Sequence, residues 1–159
     1  MTTLSPLTPA EYDAWRDAAI PAYARDKVAA GQWNEAESLD KARAEVDEIL
    51  PQGLATPGHH LYAIRDAAHV DSVGTLWIEA QQRGSRRIAY VFDLAVAPAH
   101  RRQGHGKRAF MALEHQAHAL GLDGVTLHVF GHNAAARALY ASLGYAETNV
   151  VMSKDLSPR

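Results

Sequence analysis

Residues His100 to Phe110 read HRRQGHGKRAF, a stretch whose residue types narrow the chemistry available to it. Arg101 and Arg102 precede Gly104 and Gly106, and Lys107 and Arg108 follow at once, leading into an apolar run. Just upstream, Val96-Ala97-Pro98 closes a β-favouring segment, because proline cannot donate to a strand ladder. A helix is expected to begin within the next turn. Its first amides have no internal partner and lie at the positive end of the helix dipole. Gly104 and Gly106 leave those amides uncovered, so a phosphate can approach the backbone from Gln103 through His105 to Lys107. Arg101, Arg102 and Lys107 add charge around it. A solvated basic turn would need none of this, and three cations clustered on G-x-G favour phosphate.

Which phosphate is a narrower question. A P-loop is excluded, since no G-x-x-x-x-G-K-[ST] string occurs. Gly104 to Ala109 does match G-x-G-x-x-A, the dinucleotide loop. That loop, however, opens the first βαβ unit and wants an acidic residue at the end of the next strand. Here the next strand, Val125–Val129, runs into Phe130-Gly131-His132 without a carboxylate. An NAD(P)-binding oxidoreductase is therefore the weaker reading.

Arg101-Arg102-Gln103-Gly104-His105-Gly106 resembles the acetyl-CoA pyrophosphate loop of GNAT-superfamily N-acetyltransferases, [R/Q]-x-x-G-x-[G/A]. Arg102 departs from it, standing where glycine is frequent. A second block, Asn133 to Tyr145, is similar to the family's N-x-x-A-x-x-L-Y-x-x-x-G-[F/Y] signature. Together the blocks make residues 60–156 look like a GNAT core, with the N-terminal helices similar in kind.

The resemblance implies a transfer of acetyl from acetyl-CoA to a primary amine by direct attack, without an acyl-enzyme. It implies that Leu94, Ala95 and Val96 hold the pantetheine through backbone groups, Val96 also facing the developing oxyanion. Asn133 would contact the pantetheine region, and Tyr140 would protonate the departing thiolate. A phenol of pKa about 10 can protonate a thiolate whose acid lies near 8.5, only modestly uphill. An alkyl ammonium of pKa about 10.4 must also lose its proton near neutrality. Asp93 is the nearest acidic residue in this scheme and Glu79 the second candidate. A small-molecule or peptide acceptor fits the resemblance, a homodimer is compatible with it, and a non-catalytic acyl-CoA-binding module is the alternative.

The elements that must position these residues follow from local signals. Residues 2–7 read as a first strand. Thr8-Pro9-Ala10-Glu11 carries an N-cap, a first-turn proline and a capping box, opening a helix that ends near Gly31. A second helix is expected from about Glu35 to Leu50, then a loop over 51–60. His60–Arg65, Val73–Ala80 and Arg87–Val96 read as an antiparallel meander. A helix from Gly104 to about Leu120, the strand Val125–Val129, a helix over Asn133–Leu143 and a last strand over Tyr145–Leu156 complete the order β-αα-βββ-α-β-α-β. The fold class is mixed α/β, a single domain over 1–159. The resemblance adds a mostly antiparallel sheet with splayed strands.

Composition bounds the rest. The 159 residues are 47% apolar and 21% charged, with formal charge −2, nine histidines and no cysteine. This balance argues against nucleic acid as partner. No apolar run approaches a membrane span, and a cytoplasmic location is expected. Without cysteine there is no thiol nucleophile or thiolate ligand. His115 and His118 share a helix face but lack a third ligand, and no metal is expected. His59 and His60 point apart on extended chain, which makes shared metal ligation awkward and leaves substrate contacts or polar loop residues. The resemblance of Thr56-Pro57-Gly58-His59-His60 to turns of some GNAT-like proteins favours the substrate side without fixing their role. Trp15, Tyr23 and Trp33 are expected in the core or the acceptor wall.

Overall fold

A computed structural model describes residues 1–157. In chain order it contains β1 (Thr2–Pro6), α1 (Pro9–Ala29), α2 (Glu35–Ile49), β2 (His59–Asp66), β3 (Gly74–Arg83), β4 (Arg86–Val96), α3 (His105–Ala119), β5 (Gly124–Leu127) and α4 (Ala134–Ser142). Short 3-10 turns occupy Gly53–Ala55 and Pro98–His100. Thr8 caps α1, its hydroxyl oxygen accepting the Glu11 amide at 3.2 Å. Only half of the expected capping box forms, because the Glu11 carboxylate pairs with Arg65 at 2.8 Å instead. Gly31, at φ 72°, ends α1 where expected. There the Gln32 and Gly31 amides return to the carbonyls of Lys27 and Val28.

The sheet runs β1-β2-β3-β4-β5, antiparallel except for the parallel β4–β5 pair. One face buries Ile64, Leu76, Ile78 and Val91 against Phe110 and Leu113 of α3. The other buries Leu61 and Trp77 against Trp15 and Ile20 of α1 and Val46 of α2. β3 and β4 are longer than the sequence indicates. The polar stretch 81–87 is mostly paired strand, and the chain reverses over Gly84 and Ser85 alone.

Two irregularities in β4 shape the site. Trp77 stands opposite Asp93 while Ile78 stands opposite Val91, so Phe92 is an extra residue, a β-bulge. The bulge breaks alternation: Val91 and Leu94 pack on the α3 face, whereas Phe92 packs on the α1–α2 face with Trp77. In addition, β4–β5 pairing ends at Val91↔Leu127, and β4 continues alone to Val96. The strands splay from that point, leaving one edge of residues 92–96 without a strand partner.

The last expected strand does not form. Residues 145–156 carry no strand, and β5 stops at Leu127 rather than Val129. Val150, Val151 and Met152 are three apolar residues in a row that find no face to cover them among the described residues. They are exposed, at 65%, 97% and 89%. Only Tyr145 among the segment's first residues packs on the core, beside Phe110.

Candidate active site

The splay opens a cleft of about 560 Å³ lined by two sheet residues, the glycine loop and α4. Leu94 and Val96 come from the unpaired end of β4; Arg101, Arg102, Gly104, His105 and Gly106 come from the loop and the start of α3; Asn133 opens α4. Eight residues singled out in the sequence thus meet in one cavity. Ala95 alternates to the opposite side of β4 and is exposed. Gln103 and Lys107 are exposed outside the lining, and the Gln103 side chain donates to the Ala99 carbonyl at 3.4 Å. His115 and His118 lie exposed on α3, away from the cleft.

The α3 N-terminus is open to an anion. Gly104 is its N-cap residue, at φ 82°, and among the described residues no side chain caps the helix. The amides of the first turn therefore lack the oxygen that Ser, Thr or Asp would offer. Arg108 lies over Gly104 and donates to the Gln103 carbonyl at 2.9 Å and to Thr2 Oγ1 at 3.2 Å, which clamps the turn. Arg101 donates from Nε to the Val96 carbonyl at 3.1 Å, tying the loop to the end of β4. Arg102, where the sequence departs from glycine, has φ 62°, the left-handed region that costs a non-glycine residue roughly 1–2 kcal/mol.

On α4, Asn133 accepts the Ala136 amide through its side-chain oxygen at 3.2 Å. Tyr140 lies one turn beyond Ala136 and packs edge-on against Phe110 at 5.2 Å. Burial raises its pKa, and the charge of Asp93 raises it further. Asp93 itself is pushed up to about 6, mainly by burial and also by Asp26, while hydrogen bonds from Trp15 and the Leu94 backbone oppose the shift.

Glu79, the other carboxylate candidate, is more heavily engaged. Its Oε2 lies 3.0 Å from His59 Nε2, and its Oε1 accepts from Gln81 at 2.6 Å. Trp77 donates its indole N–H to His59 Nδ1 at 3.0 Å, which fixes the proton of a neutral imidazole on Nε2, facing Glu79. Burial lowers the His59 pKa, while the charge and hydrogen bond of Glu79 oppose the shift. Buried His59 thus braces Trp77 and Glu79, while His60 stacks on Tyr62. Trp15 is core, as expected. Tyr23 and Trp33 pack edge-on and, with Phe130, surround the Lys27 ammonium at 5.3–6.0 Å.

Sequence reasoning missed Ala135 and Leu139, which line the cleft from α4. Their signal was the run Ala134-Ala135-Ala136, small residues that let a helix approach a cavity closely. It also missed His69, which meets His100 and His105 beside the loop.

Comparison with known proteins matches this geometry to a family. The model of the acetyltransferase (GNAT) family matches residues 12–145. YycN of Bacillus subtilis (strain 168), named an uncharacterized N-acetyltransferase, is 36% identical over 96% of this chain and 97% of its own length. YdgE of the same organism, named likewise, is 30% identical over 97% and 98%. The crystal structure of YycN superposes with a TM-score of 0.94, covering 99% of this chain and all of that one at 35% identity. AAC(6′)-Iy, in complex with the bisubstrate analogue CoA-S-monomethyl-acetylneamine, shares the fold at 15% identity, with a TM-score of 0.62 and 99% of each chain covered. This chain, an enzyme, belongs to the acetyltransferase (GNAT) family.

Proposed function

We propose that the chain transfers an acetyl group from acetyl-CoA to a primary amine that attacks the thioester directly. One observation carries this reading: a single cleft joins an uncapped helix N-terminus, flanking arginines and an unpaired strand end. A pyrophosphate suits the first two and a pantetheine amide chain suits the third. The complex of AAC(6′)-Iy with a CoA-containing bisubstrate analogue supports the donor, on the shared fold alone.

In this reading the first-turn amides of α3, with Arg101 and Arg102, hold the pyrophosphate, and Leu94 to Val96 orient the pantetheine along the open edge of β4. Asp93, turned to the α1–α2 face by the bulge, takes the proton of the attacking amine. The new C–N bond forms as the C–S bond breaks, and Tyr140 gives its proton to the sulfur. The two groups are linked. Protonating Asp93 removes one of the two causes that raise the Tyr140 pKa, so the phenol becomes a better acid after the base has acted. Asp26 and Asp93, facing one another electrostatically, favour a cationic acceptor on that side.

The test is release of free CoA thiol from acetyl-CoA, followed with a panel of primary amines. Amine-dependent release is expected, with Tyr140→Phe lowering kcat by about 100-fold or more while leaving CoA affinity intact. Binding of acetyl-CoA without amine-dependent release across the panel would instead support a non-catalytic acyl-CoA module.

A further inference from the structure

His69, His100 and His105 come from three separate segments. His69 lies in the connection between β2 and β3, His100 ends the turn after β4, and His105 opens α3. Each offers one imidazole nitrogen, and these nitrogens all lie within 4.8 Å of one another. His105 is 3% exposed, and both its Nε2 and the Nδ1 of His69 are buried without a hydrogen-bond partner. Buried polar atoms are nearly always partnered, so two orphaned nitrogens on the rings of one three-histidine cluster call for a ligand.

We propose that these three histidines bind one divalent transition cation of the zinc class. Neutral imidazoles suit Zn²⁺, Ni²⁺ or Cu²⁺ and disfavour Mg²⁺ or Ca²⁺, which take oxygen. A Zn–N bond of about 2.0–2.1 Å sets tetrahedral N···N spacings near 3.4 Å, so small ring rotations close the site.

The surroundings fit a metal-bound histidine. Asp66 Oδ2 lies 3.3 Å from His105 Nδ1, and the Ala68 amide holds Asp66 Oδ1 at 2.9 Å. A carboxylate on Nδ1 keeps the proton there and frees the Nε2 lone pair, the arrangement usual behind metal-bound histidine. Arg108 Nη2 also lies 3.1 Å from Nδ1 and carries two N–H groups, one of them on the Gln103 carbonyl. Metal binding at Nε2 selects the tautomer in which Nδ1 donates to Asp66 and Arg108 keeps Gln103 alone. His100 and His105 line the cleft as well, so the remaining coordination position opens toward it. The cation would pin the β2–β3 connection to the glycine loop. It departs from the expectation of no metal, since ligands this far apart in sequence form no readable motif.

The site borders the acetyl-CoA cleft but does not rest on the acetyl-CoA reading, and its test uses the metal alone. Untagged, chelator-treated protein is titrated with ZnCl₂ by calorimetry and with CoCl₂ by visible absorption. One saturable Zn²⁺ per chain and the intense d–d bands of near-tetrahedral Co²⁺ are expected. His69→Ala and His100→Ala should each abolish both signals, and Asp66→Asn should weaken binding about 10–100-fold. His118→Ala, on the exposed face of α3, should change nothing. Neither His69 nor His100 is fully buried, so both variants should keep the wild-type unfolding transition in chelator. Zn²⁺ binding that is equally strong in the His69→Ala, His100→Ala double variant, or absent from the wild type, overturns the site.

Discussion

Asp93 stands directly opposite Trp77 across the β3–β4 pair, on the far side of a bulge that inserts Phe92. Trp77 in turn stacks on Phe92 at 4.5 Å, so the bulge is filled by an aromatic pair. This register puts a carboxylate on the α1–α2 face at the level where β4 and β5 part. One strand consequently offers its backbone to the cleft and an acid to the other side.

Replacing Asp93 tests its role twice. With its pKa near 6, a base at this position loses activity about tenfold per pH unit below 6, and Asp93→Asn removes that acid limb along with about 100-fold or more of the rate. Stability moves the other way. The folded pKa lies above the unfolded value of about 3.9, so stability present at pH 4 is lost as pH rises through 6. Asp93→Asn should therefore stabilise the protein at pH 7.5 by about 2–3 kcal/mol, read by chemical denaturation. An unchanged acid limb in the variant would remove Asp93 from the chemistry.

Gly74 is required by close approach. A Cβ at this position would intrude on the Ala95 carbonyl oxygen and lie 3.1 Å from Val96 Cα. Gly74→Ala should cost about 1–3 kcal/mol and weaken acetyl-CoA binding, because it displaces the strand end that orients the pantetheine. Gly131→Ala, where a Cβ would meet nothing within 4 Å, is the control and should leave affinity unchanged.

Arg102 trades strain for charge. Arg102→Gly should change stability by less than about 1 kcal/mol, since relief of the left-handed conformation offsets the added freedom of the unfolded chain. Acetyl-CoA affinity should fall at low salt and become less salt-dependent. Equal affinities for wild type and variant at low salt would show that Arg102 only shapes the turn.

The parts of the site written in local chemistry were legible in the sequence. Gly104 and Gly106 after a proline-terminated strand, and Asn133 before an alanine-rich helix, are signals a few residues long, and both blocks line the observed cleft. What depended on distant partners was not. The bulge at Phe92 is filled by Trp77, fifteen residues earlier, which stacks on it. Glu11 leaves its capping box for Arg65, and His69 meets His100 and His105 only once β2 and β3 have folded back. The expected last strand also depends on a distant partner: β5 ends at Leu127, and residues 145–156 pair with no strand among the described residues.

Assignment of the cleft to acetyl-CoA is decided by a calorimetric titration at low salt of acetyl-CoA, CoA and NADH into the protein and into Arg101→Ala. Acetyl-CoA and CoA are expected to bind at micromolar affinity or tighter, with binding lost in the variant, and NADH is expected not to bind. Absence of heat with acetyl-CoA, or preference for NADH, would contradict that assignment.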